Sequence, residues 1–163
     1  MELLGLTSPQ PIQDLGEEKV RYTLITQWVY SLLDSLVLCQ FVFGPAWQVY
    51  GPQQIVEVVR AVTGWDISLE ELLRVGERRV NMMQAVNARE GIVQQDPPLP
   101  PRIFTPLPDG PNQGLALDQA ELLKAINLYY QLAGWEIENN QPTRNKLEEL
   151  DLGWVADLLE QPR

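Results

Sequence analysis

Apolar residues return every three or four positions between Glu18 and Leu36, at Val20, Leu24, Trp28 and Leu32, with Ser31 beside them and no Pro or Gly in the run. That spacing predicts a helix. Ile25, Val29, Leu33 and Leu36 are apolar as well, so the helix is expected to be buried on most sides. Gly44-Pro45 and Gly51-Pro52 punctuate the chain next, and a second helix is expected from Pro52 to Val62, with the proline in its tolerated first turn. The best-signalled element starts after Ser68, which forms a capping-box pattern with Glu71 ahead of Leu69, Leu72 and Leu73. Its period continues through Gly76, Val80, Met83 and Val86 or Asn87, and Gly91 is the natural stop. A glycine on that face predicts close approach of another helix.

Seven of the 13 prolines fall between Pro97 and Pro111, so this stretch can be neither helix nor central strand. Leu99, Ile103, Phe104 and Leu107 are apolar enough for it to lie along a surface as a docked, extended strap. Beyond it, Asp118 is placed to cap a helix through about Leu132, with Leu122, Ile126, Tyr129 and Tyr130 on one broad face and Gly134 closing it. A helical pair follows Pro142-Thr143, its apolar positions being Leu147, Leu150 and Leu152, then Val155, Leu158 and Leu159. No strand-like alternation and no internal repeat appears. The expected class is all-α: an irregular, orthogonal bundle of six or seven helices crossed by a proline-rich strap, in a single domain.

Composition narrows the chemistry. With 12 basic and 22 acidic residues the net charge is -10, which disfavours nucleic acid and anionic membrane surfaces as partners. No apolar run approaches the roughly 20 residues of a spanning helix, and the first 16 residues lack a basic, apolar leader pattern, so a cytoplasmic protein is expected. Histidine is absent and Cys39 is the single cysteine. Disulfides within the chain, sites with several thiolates, and Ser-His or Cys-His nucleophiles are therefore excluded.

Asp34 and Cys39 put a carboxylate and the only thiol five residues apart at a helix end. From the residues alone, a single Cys reads as a small buried hydrophobe, and Asp34 as the partner of a neighbouring Arg or backbone amide. Arg89 and Glu90, just before Gly91, read as a helix terminus whose Arg bonds carbonyls or the strap. Glu70-Glu71 and Glu148-Glu149 read as solvated faces, the five tryptophans as core and interface, and no pair of carboxylates is singled out for hydrolysis.

The order of features adds a resemblance over nearly the whole length. Asp34-Ser35-Leu36 with Leu38-Cys39 is similar to the D-S-x-G-L-C signature of the aldehyde ferredoxin oxidoreductase family, and Thr63-Gly64, Gly76-Glu77-Arg78 and Asn87-Ala88-Arg89-Glu90-Gly91 follow in family order. Leu99-Pro100-Pro101-Arg102, residues 106–111, Tyr129-Tyr130, Gly134-Trp135 and Pro142-Thr143 resemble its closing signatures. The resemblance implies helical domains that close over a β-rich domain cradling a tungsten bis-pterin cofactor, with residues 1–96 as cofactor-facing helices, 97–117 as the strap and 118–163 as C-terminal helices. It further implies that Asp34 and Leu38 contact a pterin and that Cys39 is one ligand of a [4Fe-4S] cluster. The implied reaction is oxidation of an aldehyde to a carboxylate, with electrons passing through the cluster to ferredoxin.

The family's other three cluster ligands lie in a C-x-x-C-x-x-x-C motif that this chain lacks. Catalysis is expected only with a partner that supplies the motif and the β domain. The alternative is a non-catalytic helical scaffold, with Cys39 buried. Val37 stands where the family has Gly, and Val86 and Gln84 where it often has Phe and Arg. A β-branched residue resists positive φ, so the first helix is expected to continue through Val37, with Asp34 and Leu38 on one face and Cys39 pointing elsewhere.

Overall fold

The computed structural model describes residues 2–5, 8–44, 49–92 and 99–161. Its α-helices are α1 (Glu17–Leu36), α2 (Gln40–Phe43), α3 (Pro52–Thr63), α4 (Leu69–Arg89), α5 (Gln119–Ala133), α6 (Arg144–Glu149) and α7 (Gly153–Leu159). Short 3-10 turns occupy Glu2–Leu4 and Pro101–Phe104, and the only β-type pairing among the described residues is an isolated bridge between Trp135 and Pro142. The all-α expectation is met, and the helix boundaries show why. Ser68 accepts from the Glu71 amide while Glu71 reaches back to the Ser68 amide, so two otherwise unpaired N–H groups are satisfied at the start of α4. Asp118 and Thr143 cap α5 and α6 through the amides of Glu121 and Lys146. Gly64 and Gly134 end α3 and α5 in the left-handed conformation that a side chain resists.

The long helices α1 and α4 form the frame. They meet at Gly76, where an added methyl would overlap the Trp28 carbonyl and stand 3.0 Å from the Leu32 nitrogen. The glycine allows backbone to touch backbone, as its place on an apolar face predicts. On one side of this crossing Leu32, Leu33, Ile55, Val56, Val59 and Leu72 join α1, α3 and α4 in a core. On another, Leu24 and Val80 pack with Tyr130, Ala133 and Trp135, tying α5 to the frame, and the Trp135 indole N–H donates to the Asn81 amide oxygen at 2.9 Å. Ala85, Leu147, Leu150, Leu152, Val155 and Ala156 close the C-terminal end. Burial of each large side chain is worth about 1.5–3 kcal/mol, far more than the roughly 1 kcal/mol that a glycine costs inside α4.

Residues 76–79 reach α1 and α6 in turn. Gly76 faces α1. Glu77 pairs with Lys146 of α6 at 3.1 Å, with both side chains largely buried. Arg78 donates to the Leu150 carbonyl at 2.7 Å, and Arg74, a turn earlier, donates to the Glu149 carbonyl, so two guanidinium groups satisfy carbonyls at the end of α6. Burial works against the charge of Lys146, but its bonds to Glu149 and Glu77 outweigh that and raise its pKa. Arg79 turns back towards α1.

One expectation needs correction. The first helix ends at Leu36 instead of running through Val37, and a short α2 follows that periodicity did not announce. Two of the tryptophans read as core and interface, Trp65 and Trp154, are mostly exposed, while Trp135 is buried and Trp47 lies outside the described residues. Of the strap, residues 97 and 98 lie outside the described set; from Leu99 onward Leu99 and Phe104 are half-buried, and the Ile103 carbonyl accepts from the Leu117 amide.

Candidate functional site

The end of α1 is decided by one residue. Val37 has φ 56° and ψ 37°, the left-handed conformation, and its amide reaches the carbonyls of Leu33 and Asp34. The next amide, Leu38 N–H, reaches back to the Leu33 carbonyl at 2.9 Å, so the last carbonyls of the helix are satisfied in the manner of a glycine-type stop without a glycine. The conformation costs a β-branched residue about 1–2 kcal/mol. Packing supplies a reason for it: the turn drives Leu38 against the core built on Leu32, Leu33, Ile55 and Leu72. Val37 itself is 91% exposed and Phe41 96%, so both stand in solvent beside the turn.

The expectation of a continuing helix is thus overturned. Once the chain reverses at Val37, Gln40 lies back over the last turn of α1 and its amide donates to Asp34 Oδ1 at 3.0 Å. Cys39, next to Gln40, begins α2, with its carbonyl accepting from Val42 and Phe43. Cys39 is exposed. The buried-thiol reading fails for a physical reason: the residue that the turn pushes into the core is Leu38, and its neighbour on an extended backbone faces the other way.

Asp34 is held from a second side. Its Oδ2 lies 3.1 Å from Nη1 of Arg79, which also donates to the Ser31 hydroxyl at 3.3 Å. Ser31 is buried, and its own carbonyl accepts from Ser35 at 2.9 Å. A cleft of about 300 Å³ opens beside this group, lined by Tyr30, Ser31, Asp34, Arg79, Met83 and Trp135 among others. The structure therefore gathers Asp34, Gln40 and Arg79 into one cluster, with Leu38 rooted beneath and Cys39 at the surface alongside. Arg79 and Gln40 escaped sequence reasoning. The one available signal was Gly76: a contact point with α1 at that position turns the residue one helical turn later towards the same partner. Arg89 and Glu90 sit at the end of α4 before a positive-φ Gly91, both exposed.

Among the described residues no group of three or more His, Cys, Asp or Glu side chains could hold a metal ion. With one Cys and no His in 163 residues, any metal at this turn must take its further ligands from outside the chain. Among the described residues no helix is long and apolar enough to cross a membrane.

The described residues thus present a carboxylate, a thiol and two exposed apolar side chains around one reversed helix end. Residues 1–152 match the family model described as "Aldehyde ferredoxin oxidoreductase, domains 2 & 3". The chain belongs to the aldehyde ferredoxin oxidoreductase family. It is 34% identical over 154 residues to a tungsten-containing aldehyde ferredoxin oxidoreductase of Thermococcus kodakarensis and 32% identical over 154 residues to one of Pyrococcus furiosus, in each case over 93% of this chain and 24% of the relative. It is also 30% identical over 131 residues to an aliphatic sulfonate oxidoreductase, WOR-like subunit, of Pyrococcus furiosus, covering 77% of this chain and 20% of that protein. The chain thus spans about a quarter of the length of the tungsten-containing relatives it matches.

Proposed function

We infer that this chain is the helical closing part of a tungsten-pterin aldehyde oxidoreductase, and that it contributes Asp34 and Leu38 to a pterin and Cys39 to a [4Fe-4S] cluster. The observation that carries this reading is the reversal at Val37. It leaves the Asp34 carboxylate and the Cys39 thiol at the surface of one helix end, with Leu38 half-buried against the core beside them. The donor types fit: a carboxylate accepts hydrogen bonds from amino and ring N–H groups such as a pterin presents, and a thiolate is the ligand that iron–sulfur clusters take. The names of relatives that state a tungsten content support the metal.

The remaining cluster ligands, on a C-x-x-C-x-x-x-C motif, and the β domain that cradles the cofactor belong to polypeptide outside this chain. Val37 and Phe41, both bare, are the apolar surface on which that polypeptide packs, and a relative that is itself called a subunit is consistent with assembly from parts. When bound, the tungsten-pterin supplies two-electron oxidation of an aldehyde to a carboxylate, and the cluster carries the electrons to ferredoxin. The tasks of this chain are narrower. Asp34 orients the pterin, Leu38 keeps its edge dry, and Cys39 fixes the cluster beside it. The setting is cytoplasmic, where Cys39 stays reduced.

Co-expression with a partner that carries the β domain and the motif tests the reading. A complex that oxidises aldehydes with an artificial one-electron acceptor, where neither part does so alone, is expected. A partner that folds and loads cofactor but never binds this chain would refute it.

A further inference from the structure

We propose that Arg79 is a positioning residue, which with Gln40 locks the Asp34 carboxylate in one orientation so that its unused lone pairs face outward to the cofactor. The inference rests on the pterin reading above and adds to it two side chains that no motif marks. Each carboxylate oxygen has one partner: Oδ1 takes the Gln40 amide at 3.0 Å and Oδ2 the Arg79 guanidinium at 3.1 Å. The partners come from two different elements, one from the segment after the reversal and one from α4, and each holds its own oxygen, so rotation about the Asp34 side chain breaks at least one contact. Arg79 is itself tethered to the hydroxyl of buried Ser31.

The Arg79–Asp34 pair does little for stability. The two side chains are 40% and 42% exposed, and such ion pairs contribute little to folding. What survives screening is geometry. A carboxylate offers about four acceptor sites, of which these contacts take two. Those left are on the exposed side, where a ligand with adjacent N–H donors meets them. Gly76, one turn before Arg79 on α4, is where the backbones of α4 and α1 come together, so the helix that carries Arg79 is held close to the one that carries Asp34. Support of this kind, from a rigid helix onto a group at a turn, holds a binding carboxylate to useful tolerance.

The test has two arms. In the full chain, three-bond couplings from the Asp34 carboxyl carbon to its backbone nitrogen and carbonyl report its rotamer. One rotamer is expected in the native protein, averaging in Arg79→Gln, and partial recovery in Arg79→Lys. If Arg79→Gln leaves Asp34 in a single rotamer the proposal is overturned; if that variant does not fold, Gln40→Ala, which leaves α4 untouched, must produce the averaging, and a fixed rotamer there overturns it equally. In the complex with the cofactor-bearing partner, pterin retained after gel filtration is measured by fluorescence of its oxidised form. Arg79→Gln should lower retention about tenfold, the usual scale for removing a group that orients a ligand-binding side chain, and Arg79→Lys should restore most of it. Asp34→Asn separates the two claims. If it leaves retention unchanged, the pterin reading fails while the rotamer arm still judges Arg79. If it lowers retention and Arg79→Gln does not, the positioning role fails alone.

Discussion

Replacing Val37 by glycine should stabilise the protein, although a glycine replaces a larger apolar residue at a helix end. Val37 sits at φ 56°, ψ 37°, a conformation that costs an L-residue about 1–2 kcal/mol and a β-branched one the upper part of that range. Its side chain is 91% exposed, so removing it forfeits almost no burial. Against the relief stands the greater freedom of glycine in the unfolded chain, about 0.4–1 kcal/mol. The balance is a gain of about 1 kcal/mol, or roughly 2–4 °C in Tm for a chain of this size. Urea unfolding followed by far-UV circular dichroism measures it: the midpoint should rise with the slope unchanged. Val62→Gly is the control. That residue is also well exposed but lies in the last turn of α3, where ordinary helix propensity makes the change unfavourable by about 0.5 kcal/mol. Equal effects of the two substitutions, or a loss at Val37, would refute the claim that strain at the reversal is real and borne by this residue.

Gly76→Ala should destabilise by about 2–3 kcal/mol, because overlap with the Trp28 carbonyl outweighs the helix preference of alanine; a Tm equal to or above that of the native chain would contradict the close crossing. Lys146→Met strands Glu77 in a largely buried position and should cost about 3 kcal/mol in a denaturant titration, with Glu77→Leu added to it recovering a good part. Burial pushes the Tyr129 hydroxyl up to about 12, partly countered by its bond to Gln27. A raised folded-state pKa gives stability that is whole below the ordinary tyrosine value of about 10 and lost as pH climbs towards 12, so Tyr129→Phe should flatten the fall of Tm across that window.

Helix starts were legible because they rest on a few adjacent atoms. Ser68 with Glu71, Asp118 and Thr143 satisfy local amides, and the caps stand where those residues fall. The crossing of α1 and α4 was legible from a single missing side chain at Gly76. The reversal after Leu36 was not. Local preference argues against a left-handed valine, and the forces that impose it, burial of Leu38 and the bond from its amide to Leu33, depend on core residues of α3 and α4 distant in the chain. The same holds for the cluster at the turn. Asp34, Leu38 and Cys39 were picked out by motif, but the contact from Arg79, 45 positions beyond Asp34, exists only after two helices have packed. The only trace of it in the sequence is Gly76, one turn before Arg79.

The claim on which the rest depends is that this chain lends one sulfur and one carboxylate to a cofactor site completed elsewhere. Metal analysis of the anaerobically purified complex, native against Cys39→Ala, tests it most directly. Tungsten and iron should co-purify with the assembled protein, and the substitution should deplete iron and abolish the paramagnetic signal of the reduced four-iron cluster while the complex stays intact. Undiminished iron with the same cluster signal in the Cys39→Ala complex would contradict it.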